Sequence, residues 1–201
     1  ARADIENGTL SRAELTAIED DAIRNLVEKQ KALGYHVITD GEFRRATWHL
    51  DFMWGFEGVA HKKTEQGLPF HDEAAMIDDT FLTGKIRAPK AHPFVAHYCF
   101  LKQFENEDTL AKQTIPSPAQ CLAQFAMPFN WEETKQVYET KEELTADIAQ
   151  AYIDVILQLY DAGCRIIQFD DCTWGMLADK IAPAMYGVTP EGLIDIQKAH
   201  K

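Results

Sequence analysis

The sequence predicts an α/β fold built from repeated βα units around a parallel sheet. Two stretches carry the same pattern: a helix that ends at a glycine, a short apolar run, and two acidic residues at the end of that run. They are residues 33–42 (LGYHVITDGE) and 162–171 (AGCRIIQFDD). A short apolar run after a helix end is typical of a buried parallel strand. Because the two units lie far apart in the chain, we expect further βα units between them.

Length and charge narrow the class of protein. The chain has 201 residues, a formal net charge of -12 and 46% hydrophobic residues, which is enough for a sizeable core in one domain. The negative charge argues against a nucleic-acid partner and an anionic membrane surface. A complete (β/α)8 barrel needs about 250 residues, so we expect residues 1–201 to form one truncated barrel domain of a longer protein.

The cysteines indicate a reducing compartment. Cys99, Cys121, Cys164 and Cys172 are scattered singly, which in a chain of this length is typical of reduced thiols rather than of a disulfide framework. The sequence also shows no signal peptide and no apolar run of transmembrane length. We therefore expect a cytoplasmic protein, and assembly into a homo-oligomer stays open.

The first half of the chain begins with a capped helix. Ser11 and Glu14 have the capping-box spacing, and Gly34 ends the helix. Apolar residues follow the cap at helical intervals, namely Leu15, Ile18, Ala22, Leu26 and Val27. A strand over 35–39 comes next. The stretch 53–79 has no clean period, and we interpret it as an insertion over one face of the barrel.

The second half contains the clearest helix. Before it we expect a strand over 80–86, a helix over 94–104, and a short strand over 112–115 that runs into a Pro-Ser-Pro turn. Thr140 and Glu143 repeat the capping-box spacing. Five apolar residues then define one helix face, namely Leu144, Ile148, Ala151, Val155 and Leu159. After the strand that ends at Asp171 we expect a partly helical stretch, 176–185, and a last helix that begins at Thr189-Pro190-Glu191.

Acidic residues at strand ends are the first candidates for a functional site. Parallel α/β folds bind their ligands at the carboxyl ends of the strands, where we expect Glu42, Asp170 and Asp171. Burying an unpaired carboxylate is costly, which favours a functional role, although Glu42 could equally pair with Arg44 or Arg45. The loop after the first strand adds two substrate-binding candidates, Arg44 and His49, because such loops commonly form sites.

Other motifs point away from several enzyme classes. His97 and Cys99 look like a pair of zinc ligands, but they lie in a run of helical character, where positions i and i+2 diverge. We therefore expect no zinc at this pair. A Walker A loop, a dinucleotide-binding glycine turn, a nucleophile elbow and an HExxH motif are all absent from the sequence, which argues against kinases and dehydrogenases.

Three motifs together resemble the catalytic barrel of the cobalamin-independent methionine synthases and their shorter single-barrel relatives. They are 38–45 followed by 48–52 (ITDGEFRR and WHLDF), 114–119 (TIPSPA) and 163–171 (GCRIIQFDD). The motifs occur in the family's order and approximate spacing along nearly the whole chain. As a set they are fairly specific, whereas each alone is weak.

The resemblance implies a (β/α)8 TIM barrel that moves a methyl group from a methylated folate to the thiol of homocysteine, giving methionine. In the family a zinc ion binds the thiol, and coordination deprotonates a group that is mostly protonated at neutral pH. Glu42 and Asp170 match the family's carboxylates that hold the ammonium group of the amino acid. The family's zinc ligands lie on later strands, so we expect zinc ligands outside this chain and none within it.

Three departures from the family leave the substrates open. The family's folate-stacking Trp aligns near Gln124, Asp171 stands where the family usually has Glu, and Cys172 replaces a Pro. A different methyl donor or a related thiol is therefore an alternative to methylated folate and homocysteine.

The sequence is also compatible with other functions of the same barrel fold. A metal-free lyase related to the porphyrinogen decarboxylases would need a basic pocket, which Arg44, Arg45, Lys85 and Arg87 could supply. A non-catalytic binding barrel is a further alternative. A glycosidase would use Glu42 and Asp170 as its paired carboxylates, and their separation would decide its chemistry.

Overall fold

The computed structural model describes residues 1–64, 68–70, 73–75, 78–180 and 182–199. The helices are α1 (Arg2–Glu6), α2 (Arg12–Ala32), α3 (Leu50–Met53), α4 (Pro93–Lys102), α5 (Pro118–Ala126), α6 (Pro128–Thr134), α7 (Lys141–Asp161), α8 (Ala182–Tyr186) and α9 (Pro190–Ala199), with a 3₁₀ helix at Thr173–Ala178. The strands are β1 (Val37–Ile38), β2 (Glu57–Lys62), β3 (Leu68–Phe70), β4 (Glu73–Ala75), β5 (Asp79–Arg87), β6 (Leu110–Pro116) and β7 (Ile166–Asp170).

A parallel sheet of three strands positions the acidic residues. Its order is β1-β6-β7, with Val37 opposite Leu110 on one side of β6 and Pro116 opposite Asp170 on the other. Because the strands are parallel, their carboxyl ends lie along one edge of the sheet. This confirms the predicted α/β class with parallel strands, while closure of the sheet into a barrel stays a prediction.

The stretch 53–79 contributes to an antiparallel hairpin. β2 pairs with β5 in a register that shifts between Glu57 and Val59. Gly58 has a φ of 84°, and a Cβ there would come within 2.4 Å of the Lys85 carbonyl oxygen, so this irregular position requires glycine. Residues 65–67, 71–72 and 76–77 of the predicted insertion lie outside the described residues. Its place over a barrel face stays a prediction.

The buried face of α7 is the one that the sequence predicts, whereas the buried face of α2 differs from the predicted one. The five predicted apolar residues of α7 are all buried. On α2 the buried residues are Leu15, Ile23 and Val27, and Ile18 is 47% exposed. The prediction was therefore wrong for Ile18, because the buried face runs through Ile23 and turns Ile18 toward solvent.

The two predicted capping boxes differ in the structure. Ser11 accepts a hydrogen bond from the Glu14 amide (3.2 Å), and the Glu14 carboxylate accepts one from the Ser11 amide (2.8 Å). Thr140 caps α7 by accepting from the Glu143 amide at 3.1 Å. The Glu143 carboxylate, however, pairs with Lys85 and accepts from the Glu139 amide. The second box is thus only half formed, since Lys85 draws the carboxylate away from the cap.

Strand β7 is less buried than its sequence indicates. Its side chains are intermediate or exposed, and Phe169 is 47% exposed. The prediction of a buried strand was wrong because, among the described residues, β7 has a strand neighbour on one side only. No helix in the described part of the chain is both long and apolar enough to cross a membrane.

Candidate functional site

Three of the predicted site residues lie in one open pocket at the carboxyl edge of the parallel sheet. Glu42 follows β1, Asp170 ends β7 and Asp171 comes directly after it, with β6 between β1 and β7. The pocket has a volume of about 440 Å³ and is lined by Glu42, Trp48, Gln168, Asp170, Asp171 and Cys172. The strand order therefore brings together acids from the two matching motifs.

Glu42 enters this pocket from a strained backbone position. Its φ of 61° is left-handed, and it is the one non-glycine residue with positive φ in the described ranges. The buried carboxylate of Asp40 accepts a hydrogen bond from the Glu42 amide at 2.9 Å. Such strain persists only where surrounding contacts fix it, so Asp40 stabilises the turn that directs Glu42 into the pocket.

The Glu42 carboxylate is held from behind by two donors. Its Oε1 atom accepts a hydrogen bond from the Thr114 hydroxyl at 2.8 Å and pairs with Arg45 Nη1 at 2.9 Å. The side chain still keeps 31% of its surface exposed. Of the two arginine partners that the sequence allowed, the structure selects Arg45.

Arg45 is a buried cation beneath the pocket. Burial lowers the pKa of its guanidinium, and the carboxylates of Glu42, Asp40, Asp170 and Asp51 oppose that shift. An arginine remains protonated in proteins despite such burial. Arg45 therefore offsets part of the negative charge of the strand-end acids.

Asp170 and Asp171 have different local partners. Asp170 accepts from the Gln168 amide group at 2.6 Å, and Gln168 in turn accepts from Lys112 Nζ at 2.6 Å. Asp171 accepts from the amide and the hydroxyl of Thr173, at 2.8 and 2.7 Å. Asp171 thus shapes the turn into the 3₁₀ helix, whereas Asp170 belongs to the sheet as the last residue of β7.

His49 lines a second, neighbouring pocket. That pocket has a volume of about 360 Å³ and is lined by His49, Leu50, Lys62, Asp78, Asp79, Thr80, Phe81, Gln124, Met127, Asn130 and Glu133. Burial lowers the pKa of the imidazole, and its Nδ1 has no hydrogen-bond partner among the described residues. Trp48 and His49 are in ring contact, with centroids 4.6 Å apart, so adjacent residues face the two pockets.

Arg44 lies apart from both pockets. Its guanidinium pairs with Asp20 at 2.5 Å and with Glu19 at 3.5 Å on α2. It also lies over the ring of Phe100, with its guanidinium carbon 4.7 Å from the ring centroid. The structure therefore does not bring Arg44 together with Glu42 and Asp170.

Sequence reasoning missed several residues of the site. Trp48 and Gln168 lie within the quoted motifs, and the contact of Trp48 with the pocket could have been suspected from its place after the first strand. Cys172 donates its thiol hydrogen to Gln120 Oε1 at 3.0 Å, and partial burial raises the pKa of that thiol. Thr114 begins the quoted motif 114–119, but its contact with Glu42 could not be predicted, because that contact depends on β6 being the central strand.

The pocket suits a cationic group. Its described lining contains three carboxylates and no basic side chain, and carboxylates form strong charge-assisted hydrogen bonds with ammonium groups. In the same described part of the chain, no three His, Cys, Asp or Glu side chains are grouped so that they could hold a metal ion. His97 and Cys99 do lie on one helix, α4.

The sequence relatives cover most of this chain. No family model matches it. It is 38% identical over 169 residues to the uncharacterized protein YxjH of Bacillus subtilis (strain 168), covering 84% of this chain and 43% of that protein. It is 37% identical over 196 residues to the uncharacterized protein YxjG of the same organism, covering 96% and 50%. The chain therefore spans about half the length of the curated relatives it matches.

Two solved structures share the fold. A Listeria monocytogenes protein, named as a candidate vitamin-B12 independent methionine synthase, is 32% identical with a TM-score of 0.68, covering 100% of this chain and 56% of that one. A B12-independent methionine synthase from Shewanella sp. W3-18-1, solved with selenomethionine, is 23% identical with a TM-score of 0.57, covering 81% and 44%, and shows the fold alone. The likeness to the Listeria monocytogenes structure supports, for this chain, the family of the B12-independent methionine synthases.

Proposed function

We propose that this pocket binds the α-ammonium group of homocysteine or a related thiol amino acid, and that the intact protein methylates the thiol. The methyl donor is a methylated folate or a similar compound. One observation carries this assignment: Glu42 and Asp170, from separate motifs, face one open pocket lined by acids. The likeness to B12-independent methionine synthases supports the same class of reaction.

The pocket residues would bind and orient the amino acid. A carboxylate on each side can clamp one ammonium group, and a clamped ammonium fixes the direction in which the thiol extends. Thr173 fixes the Asp171 side of the pocket by donating two hydrogen bonds to the Asp171 carboxylate. Small molecules are the partners in this reaction, with no role for nucleic acid or membrane.

Zinc is the cofactor that the family resemblance leads us to expect. The described residues do not fit it, because they contain no group of three suitable ligands. Its ligands would have to come from other residues, and we derive no step through the metal. What these residues contribute is the recognition and placement of the amino acid.

Among the described residues, the basic side chains that the lyase alternative would use do not line this pocket, and Arg87 is exposed at the end of β5. Arg44 pairs with Glu19 and Asp20, Lys85 pairs with Glu143, and Arg45 is buried behind Glu42. Substrate carboxylates would meet the carboxylates that line the pocket, and like charges repel. The geometry therefore favours an ammonium ligand over a polycarboxylate.

Methionine formation by the intact protein tests this function. The assay supplies homocysteine, zinc, and methyltetrahydrofolate with one or several glutamates or a sulfonium methyl donor. We expect Asp170→Asn to lower the rate at limiting homocysteine by about 100-fold, because a bond to a charged group is lost in the pocket. Asp161→Asn, at the exposed end of α7, is the matched control and should keep the wild-type rate.

Two results would contradict the assignment. The first is a wild-type protein, folded and supplied with zinc, that forms no methionine with any of these donors. The second is full activity of Asp170→Asn at limiting homocysteine, since it would mean that Asp170 does not bind the substrate.

A further inference from the structure

Glu42 needs support that its own loop does not provide. Its side chain has several rotatable bonds, and ordering such a side chain costs conformational entropy. It also shares the pocket with Asp170 and Asp171, and like charges favour keeping these carboxylates apart. A preformed ammonium site therefore requires contacts that fix the Glu42 carboxylate before the ligand arrives.

Those contacts converge on one carboxylate oxygen. The Thr114 hydroxyl and Arg45 Nη1 both meet Oε1, at 2.8 and 2.9 Å. The side-chain hydrogen bonds of Glu42 to the described residues all use this atom. The other oxygen, Oε2, is thereby kept for a ligand, while the 31% exposed side chain remains open to the pocket.

Arg45 and Thr114 are themselves fixed by the sheet. Arg45 Nη2 donates to the carbonyl and the hydroxyl oxygens of Thr114, at 2.6 and 2.8 Å, and Nη1 donates to the Trp48 carbonyl at 3.1 Å. The guanidinium also lies over the Phe94 ring, 4.6 Å from its centroid. Thr114 lies on the central strand, opposite Gln168 of β7. The pair therefore connects the Glu42 loop to the middle of the sheet.

Arg45 acts from behind the pocket. Its side chain is only 2% exposed, so it cannot touch a ligand that enters beside Trp48 and Asp170. It is, however, a positive charge close enough to interact with both Glu42 and Asp170. A buried cation in this place offsets the repulsion between the two acids while the pocket is empty.

From this geometry we propose that Arg45 and Thr114 are positioning residues for the ammonium site: they hold Glu42 by one oxygen and direct the other toward the substrate. This inference rests on the proposed function, because it takes the substrate to be an amino acid bound by Glu42. It adds that substrate recognition depends on two residues that the substrate does not touch.

A double-mutant cycle on the intact protein tests the inference. The measured quantities are the dissociation constants of homocysteine and of 4-sulfanylbutanoate, which lacks only the ammonium group. We expect Thr114→Val to weaken homocysteine binding by about 10-fold, the effect of one hydrogen bond to a charged group. Binding of 4-sulfanylbutanoate should not change. In a Glu42→Gln background, Thr114→Val should change homocysteine binding by less than about two-fold, because the residue acts through Glu42.

Variants at Arg45 separate charge from geometry. Arg45→Gln should weaken homocysteine binding more than Thr114→Val does, and Arg45→Lys should restore part of the loss, since it keeps the charge without the planar fork. Arg165→Gln and Thr145→Val are the matched controls. Arg165 also donates to backbone carbonyls, and Thr145 donates its hydroxyl to Lys141 on α7, so both should bind homocysteine as the wild type does.

A purely structural role would give a different pattern. Thr114→Val would then weaken both ligands equally, in the wild-type and Glu42→Gln backgrounds alike, and the inference would be wrong. If the wild type binds no homocysteine, the proposed function fails, and crystal structures of the wild type and Thr114→Val decide the positioning role. A rotated Glu42 carboxylate in the variant would support that role, and an unmoved one would overturn it.

Discussion

A few buried polar side chains connect neighbouring elements of the fold. The Tyr138 hydroxyl accepts a hydrogen bond from the Ile86 amide at 2.6 Å and donates one to Asp147 at 2.9 Å. Burial raises the pKa of this phenol, so the hydroxyl keeps its proton. One atom thus joins β5 to α7.

Tyr138→Phe should destabilise the fold by about 1–3 kcal/mol, because it leaves the buried Ile86 amide without its acceptor. Urea unfolding measures the change. Tyr35→Phe, on an exposed tyrosine, should leave the free energy of unfolding within about 0.5 kcal/mol of the wild type. Equal stability of the two variants would show that the Tyr138 hydroxyl contributes nothing.

The buried ring of His92 packs directly against the backbone of Gly55. The His92 ring is buried, and its Nε2 donates to the Phe52 carbonyl at 3.0 Å, since Nδ1 accepts from the Phe94 amide. A Cβ at Gly55 would come within 2.3 Å of Nε2. The His92 ring can therefore occupy this position only because Gly55 has no side chain.

Gly55→Ala should lower the free energy of unfolding by about 1–3 kcal/mol through overpacking. Gly175→Ala is the matched control, because nothing lies within 4 Å of the Cβ it would add. Thermal unfolding of both variants gives the comparison. If both variants unfold at the wild-type temperature, the His92 ring moves aside without cost, and its close contact with Gly55 does not affect stability.

At the scale of helices and strands, the sequence predicts features that neighbouring residues determine better than features that depend on residues far away in the chain. The bounds of α2 and α7 follow from Ser11 and Thr140, whose caps are local hydrogen bonds. The burial of β7 depends on which strand lies beside it, and its sequence carries no such information. The Thr114 contact with Glu42 likewise requires β6 to separate β1 from β7.

In the site, too, some features were predictable from the sequence and others were not. Strand-end acids were predictable because parallel strands direct their carboxyl ends to one edge, and Glu42 and Asp170 do share a pocket. The choice of Arg45 over Arg44 was not predictable, since adjacent residues point in directions that the turn conformation decides. Arg44 is held instead by Glu19 and Asp20 of α2.

Two leucines on α7 test how strongly this helix depends on its buried face. Leu159 is fully buried and Leu157 is 54% exposed. Leu159→Ala should cost about 2–5 kcal/mol through lost burial and a cavity, and Leu157→Ala much less. Urea unfolding of both variants measures the difference. Similar losses would mean that the exposed face of α7 is packed against another part of the protein.

At the scale of the whole molecule, the buried His92 and the partly buried His97 link stability to pH. Burial lowers the pKa of His92 and of His97 to about 4, below the value of about 6.5 for an unfolded chain. Between these values the unfolded state binds more protons than the folded state. The free energy of unfolding must therefore fall as the pH is lowered through this window.

Acidification from pH 7 to pH 5 should cost about 2 kcal/mol through His92 alone. His92→Asn keeps an acceptor that can cap α4 and should reduce this pH dependence, even though the variant is less stable at pH 7. His36→Asn, which replaces an exposed histidine in the same way, is the matched control. Urea unfolding at both pH values gives the result, and an unchanged dependence in His92→Asn would contradict the assignment to His92.

The central claim is that Glu42 and Asp170 recognise the ammonium group of a thiol amino acid. Calorimetric titration of the intact wild-type protein with homocysteine, and separately with 4-sulfanylbutanoate, tests it most directly. We predict that homocysteine binds at least about 100-fold more tightly, because the ammonium group meets two carboxylates in an acid-lined pocket. Equal affinities, or tighter binding of the ligand without the ammonium group, would contradict the account.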